Sequence, residues 1–287
     1  MMPTPQLETF PPNIVPIRTR GSGLPIFLVH SALGSTGYYA DLGRALTLNA
    51  PLYGINSIGL FGGATPIRSF EEMATRYIEA VDSVCSGPVV IAGHSMGAYI
   101  AFEMCLQLGG ARAPQCLDID QAGPSLAGMG TLIANDDVPA AVAALISVIA
   151  SLYGRTLPAP LDSIRQALAT ADEAGQLTLI AGWLKELQFL PRSASDDTAG
   201  AFLEVLMANC IAETQWSPGE RLYSGRLTVV RARNSLHGPE AYEGWQKYCS
   251  QKIQIREVSG SHATIMTPPH VLELATHLRE VLSAPLP

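Results

Sequence analysis

Short apolar runs bounded by glycine and proline alternate along the chain with longer stretches whose apolar residues recur every three or four positions. The first kind reads as strands and the second as helices packed on them, the pattern of a mostly parallel sheet flanked by helices. The predicted strands are Ile14 to Thr19, Pro25 to His30, Leu52 to Ile55, Val89 to Ala92, Cys116 to Asp120, Leu227 to Arg231 and Ile253 to Val258. Helices are predicted at Tyr38 to Leu48, Phe70 to Cys85, Ala98 to Leu108, Pro239 to Tyr248 and Pro269 to Leu282. Ser69 followed by Glu72 gives the second of these a capping signature, and Gly109 with Gly110 suits the end of the third.

From about residue 125 to residue 216 the alternation stops. No strand-like run occurs there, and Ala/Leu-rich helical patterns follow one another at Val138 to Tyr153, Leu161 to Ala174, Leu177 to Leu187 and Ala199 to Ile211. These helices have no strand between them and must bury a face against something, so the segment reads as a helical lid inserted into one domain spanning residues 1–287.

Composition narrows the classes of function. Hydrophobic residues make up 47% and charged residues 15%, so the chain folds around a sizeable core. Eighteen basic against 25 acidic residues leave a net charge of −7, which argues against nucleic acid or an anionic membrane as partner. Five widely spaced cysteines, with no paired spacing and no cluster at metal-ligand spacing, predict reduced thiols in the cytoplasm and no metal. The N-terminus shows no signal-peptide pattern. The longest apolar run, Val138 to Tyr153, is broken by Pro139, Ser147 and Ser151 and is shorter than the roughly 18 residues of a membrane span.

The chemistry concentrates in PVVIAGHSMGAYIAFEM, Pro88 to Met104. An apolar strand leads into Gly93-His94-Ser95-Met96-Gly97 and then into a helix. A GxSxG string alone is a weak signal, but strand and helix on either side make it specific. A tight turn that lifts a serine out of the sheet crowds the positions two before and two after, where glycine is tolerated best. Ser95 is therefore the candidate nucleophile, placed beside the free N–H groups of a helix start.

A serine needs a base. Among His30, His94, His237, His262, His270 and His277, His262 follows the last strand in the turn EVSGSHATIM, at the sheet edge where Ser95 also emerges. The orienting acid belongs at a strand end, and CLDIDQAGP offers Asp120, with Asp118 as its rival two residues deeper. Beyond the strand Leu227 to Arg231, another place such an acid can occupy, the chain carries Asn234 and only later Glu240. The order Ser95, Asp120, His262 is that of α/β-hydrolases. Their oxyanion hole takes one N–H from the residue after the nucleophile, here Met96, and one from the loop after the strand Pro25 to His30, where Ala32 is the candidate.

IFLVHSALGSTGYYADLGRAL, SFEEMATRYIEAV, GPVVIAGHSMGAYIAFEM, LDIDQAGP and VSGSHATIMTPPHVLELA together resemble the thioesterase domains of nonribosomal peptide and polyketide assembly lines. The resemblance covers about Ile26 to Asp120 and Leu227 to the C-terminus, and the helical insertion only in kind. It implies an α/β-hydrolase that takes an acyl or peptidyl chain from the phosphopantetheine thioester of a carrier protein onto a serine. The chain is then released by hydrolysis or cyclisation, with no bound cofactor. Ser95, Asp120 and His262 fall on the family's catalytic positions. Ser31 stands where such domains often carry proline, and Asp118 is a charge in a strand usually apolar throughout. Carrier partners of this family tend to be acidic, which points to Arg155, Lys185, Arg192, Arg221 and Arg226 as docking candidates. Two other classes share part of the pattern: a stand-alone carboxylesterase or acyltransferase, and a non-catalytic binding protein of the same fold.

Overall fold

The computed structural model describes residues 10–61, 63–124 and 138–285, and its seven strands form one sheet in the order β1-β3-β2-β4-β5-β6-β7. These are β1 (Ile14–Arg18), β2 (Ile26–Val29), β3 (Leu52–Ile55), β4 (Val90–His94), β5 (Gln115–Ile119), β6 (Arg226–Asn234) and β7 (Gln254–Ser261). β1 pairs antiparallel with β3, and every other pairing is parallel. Every residue of β2, β4 and β5 is buried, because both faces of the sheet are covered, and their sequences are mainly apolar, with Gln115 and Asp118 the polar exceptions in β5 and His94 ending β4.

One face carries α1 (Ala40–Ala45) and α9 (His270–Ser283), with Leu42, Leu274 and Leu278 packed on Leu28, Val90 and Val230. The other carries α2 (Phe70–Val84), α3 (Gly97–Arg112) and the short α8 (Pro239–Glu243), burying Phe70, Tyr77, Phe102 and Tyr242 against Phe27, Ile91 and Val229. Ser69 caps α2 by accepting the Glu72 N–H at 3.3 Å.

Three helix ends on the two sheet faces differ from the sequence expectation, the first two for a tertiary reason. The first helix stops at Ala45 because Arg18 of β1 takes the carbonyls of Leu46 and Ala50 at 3.0 and 2.9 Å, drawing the chain into a turn. Gly109 adopts the left-handed conformation expected of a cap, φ +72°, yet one more turn follows to Arg112. That turn is held by Arg112, whose guanidinium donates to Asp82 and to the Cys85 carbonyl, both at 2.7 Å. The helix starting at Pro239 gives way at Gly244 to a tighter 3-10 turn through Tyr248.

Between β5 and β6 lie α4 (Val138–Leu152), α5 (Leu161–Thr170), α6 (Glu173–Glu186) and α7 (Asp196–Gln215). Each packs on the next. Residues 125–137 of the expected insertion lie outside the described residues. The break between α5 and α6 falls at Ala171 and Asp172, earlier than the periodicity suggested, because the Asp172 carboxylate caps the new helix at the Gly175 N–H, 2.9 Å. α7 starts earlier than expected, capped by Ser195 with Asp196 and Asp197 in its first turn.

The far end of α7 is fastened to α3. The Trp216 indole N–H donates to Glu103 Oε2 at 2.9 Å, and Arg221 grips both oxygens of the same buried carboxylate at 2.7 and 2.8 Å. This use takes Arg221 out of the set of free surface charges considered for docking. Arg221→Ala strands Glu103 with part of its hydrogen bonding gone, and the expected loss is up to about 3 kcal/mol of unfolding free energy, read as a lower urea midpoint at unchanged slope.

Candidate active site

Ser95 sits between β4 and α3 in the left-handed region, φ +57°, a conformation that costs any residue with a Cβ. The turn is possible because its flanking positions have no side chain. A Cβ on Gly93 would fall 2.1 Å from the Gly97 carbonyl oxygen, and one on Gly97 would fall 2.3 Å from the His30 carbonyl oxygen. The Ser95 N–H donates to the Ile119 carbonyl at 3.0 Å, tying the turn to the end of β5.

Three of the residues singled out from sequence come together at the carboxyl edge of the sheet. His262 Nε2 lies 2.9 Å from Ser95 Oγ, and His262 Nδ1 lies 2.9 Å from Asp120 Oδ2. Asp120, just beyond β5, is also left-handed at φ +59° and is held by its neighbours in β6 and α8. Its Oδ1 accepts the Ala232 N–H at 2.7 Å and the Tyr242 hydroxyl at 2.9 Å, while Ser235 Oγ donates to Oδ2 at 2.9 Å. Burial alone would raise this carboxyl, but the His262 interaction with the Ala232 and Ser235 bonds outweighs it and keeps Asp120 below the ordinary carboxylate value. A charged acceptor facing Nδ1 fixes the imidazole with its Nε2 lone pair toward the serine, the arrangement needed to take a hydroxyl proton.

The rival acids are placed elsewhere. Asp118 is buried inside β5, where its Oδ1 accepts the Gln121 N–H at 2.8 Å. Burial pushes its carboxyl well above the ordinary range. Asn234 ends β6 in register with Ser261, and Glu240 is exposed at the start of α8.

His94, inside the turn that carries Ser95, packs its ring against that of His262. Its Nε2–H donates to the His262 carbonyl at 3.0 Å, and the two rings are 4.9 Å apart at 30°. Burial, helped by the nearby His262, lowers His94 to about 3, so it stays neutral and serves as a fixed donor. Tyr39 joins two strands at this edge, donating to the Val29 carbonyl and accepting the His94 N–H at 2.9 and 2.8 Å. Composition and periodicity gave no signal for Tyr39, Ser235 or Tyr242.

Ala32 is buried in the loop after β2, and Met96 stands at the start of α3. A helix start leaves N–H groups that the helix itself does not use. The Ser31 carbonyl, on the same peptide as the Ala32 N–H, accepts the His30 ring at 2.7 Å and the Gly34 N–H at 2.9 Å.

All five cysteines are free, and four are buried. Among the described residues no three His, Cys, Asp or Glu side chains group as a metal site, and no helix is long and apolar enough to cross a membrane. On the insertion, Lys185 and Arg192 line one surface groove with Phe189 and Leu190, and Arg155 reaches Gln188 in it at 2.8 Å. Arg226 instead holds the Pro285 carbonyl near the C-terminus.

Residues 24–118 match the family model described as Thioesterase domain. The chain is 24% identical over 276 residues to chondramide synthase cmdD of Chondromyces crocatus, covering 93% of this chain and 7% of that protein. Among solved structures it superposes on AB3403, a four-domain nonribosomal peptide synthetase bound to AMP and glycine, with TM-score 0.81. That match has 24% identity and covers 98% of this chain and 21% of the other. The Vlm2 thioesterase domain bound with a dodecadepsipeptide matches with TM-score 0.69 and 23% identity, over 95% of this chain and 98% of that domain. The chain has the α/β-hydrolase fold and resembles, in sequence as in architecture, the thioesterase domains of nonribosomal peptide and polyketide synthetases.

Proposed function

We propose that the chain is a serine thioesterase that releases an acyl or peptidyl group from a carrier-protein phosphopantetheine thioester. The observation that carries this reading is the unbroken series Ser95, His262, Asp120, linked at 2.9 and 2.9 Å. Ser95 Oγ attacks the thioester carbonyl carbon while His262 Nε2 takes its proton. The oxyanion that forms accepts the N–H groups of Ala32 and Met96. Collapse of the intermediate breaks the C–S bond, and the departing thiolate receives the proton from His262. Water, or a hydroxyl or amine of the bound acyl or peptidyl group, then gives its proton to His262 and attacks the Ser95 ester, and the expelled serine oxygen takes that proton back from His262. Each step uses only side chains and backbone groups of this chain, with no bound cofactor.

The helices α4 to α7 act as a lid on this site within a single domain, and the groove of Arg155, Lys185 and Arg192 is the docking face for an acidic carrier. Leu145, on α4, is buried in the helical layer, so a charge there disturbs packing before it reaches substrate.

A fluorophosphonate probe and paired N-acetylcysteamine thioester and oxygen-ester substrates test the reading together. The expected result is labelling of Ser95 with thioester turnover exceeding ester turnover. Turnover of esters alone identifies a carboxylesterase, and absence of labelling identifies a binding protein.

A further inference from the structure

The structure assigns a positioning role to Asn209 of α7: we propose that it holds the oxyanion loop in shape, so that the helical insertion supplies part of the architecture of the oxyanion hole. This inference rests on Ala32 being an oxyanion donor. Asn209 is fully buried, and its Nδ2–H donates to the Ala32 carbonyl at 2.9 Å across 177 residues of sequence. One helical turn earlier, on the same face of α7, Val205 presses on the loop. Gly34, at φ +77°, has no room for a Cβ, which would fall 2.5 Å from Val205 Cγ1.

The two peptides that meet at Ala32 are thus held from opposite sides. On the sheet side, the neutral His30 ring, lowered to about 4 by burial, donates Nδ1–H to the Ser31 carbonyl at 2.7 Å and accepts the Tyr77 hydroxyl at Nε2, also at 2.7 Å. A trans peptide points its C=O and N–H in opposite directions, so a donor fixed on the Ser31 oxygen aims the Ala32 N–H the other way. On the insertion side, Asn209 fixes the next peptide through the Ala32 oxygen. With both planes held, the torsions of Ala32 have little freedom and its N–H is aligned before an oxyanion forms. An oxyanion donor works by being already in place, and removing one costs about 10²–10³-fold in turnover. A donor left present but free to swing should lose part of that.

Two substitutions test the role on the full chain with an N-acetylcysteamine thioester. Asn209→Leu keeps the size and removes the donor. It is expected to lower kcat about ten- to one-hundredfold with KM within about twofold, and to slow fluorophosphonate labelling of Ser95 in proportion. Asn209→Asp gives a readout that simple loss of packing would not. A protonated carboxyl can donate to the Ala32 carbonyl, whereas a carboxylate faces that oxygen with like charge. The kcat of Asn209→Asp divided by that of the parent at the same pH is therefore expected to fall as pH rises, while the same ratio for Asn209→Leu stays flat.

Parent protein that labels at Ser95, with Asn209→Leu within threefold on kcat and a flat ratio for Asn209→Asp, overturns the role of Asn209 and leaves the serine mechanism standing. A parent that does not label overturns both. Should Asn209→Leu fail to fold, the pH ratio of Asn209→Asp decides alone: a falling ratio supports the role and a flat one overturns it.

Discussion

Ser95→Ala is expected to abolish thioester turnover, with a loss on the order of 10⁶-fold in kcat, and to leave the fold intact. The size follows from the geometry: Ser95 Oγ is the group 2.9 Å from His262 Nε2, and a methyl group can neither give a proton nor attack a carbonyl. Stability should hold because the elbow depends on the missing side chains of Gly93 and Gly97 and on the Ser95 N–H, which alanine retains. Alanine and serine also pay a similar cost in the left-handed region, so the exchange adds little strain. Intact-mass analysis after a slow thioester substrate should show one acyl group on the parent and none on the variant. Turnover within tenfold of the parent would remove Ser95 from the mechanism.

Asp120→Asn is expected to slow acylation by about 10⁴-fold, by analogy with the loss of the orienting acid in serine proteases. Asp120 accepts four hydrogen bonds, two on each oxygen, and an amide has only one oxygen. With that oxygen turned to the Ala232 N–H, the amide nitrogen faces His262 Nδ1. Nδ1 must then accept, the ring proton moves to Nε2, and the base can no longer take the proton of Ser95. Asp118→Asn should change turnover by less than about threefold, because an amide can still accept the Gln121 N–H and the burial that raises this carboxyl favours an uncharged group. Glu240→Gln, on the surface, should be silent. Single-turnover acylation of the three variants ranks the acids, and a crippled Asp118→Asn or Glu240→Gln would displace Asp120 from its role.

The sheet was legible because its strands are apolar runs near a glycine or proline, and from β2 onward the next described element after each strand is helical. Ser95 was legible for the same reason, since the two glycines that make its turn possible are two residues away on either side. Asp120 and His262 could be ranked by strand-end position together with the chain order Ser95, Asp120, His262. What stayed hidden depends on partners far away in sequence. His94 meets the His262 carbonyl across 168 residues, Ser235 meets Asp120 across 115, and nothing local to either marks the pairing. Two of the helix ends that moved are decided by distant partners: Arg18 takes the carbonyls beyond α1, and Arg112 ties the last turn of α3 to Asp82 and Cys85. The break before α6 had a local sign in Asp172, a good N-cap, which apolar periodicity does not register.

The fastening of α7 bears on how chimaeras of this protein should be cut. α7 is tied to the loop after β2 through Asn209 and to α3 through Trp216 and Glu103, whereas α6 packs on α7 and α5 packs on α6. A graft that exchanges the whole inserted segment for a relative's would carry away the donor to Ala32 and leave the Glu103 carboxylate short of a partner. A graft that ends in the loop between α6 and α7, at residues 187–195, changes the outer helices and leaves both ties in place. The second junction is the one that separates a change of substrate preference from a broken scaffold.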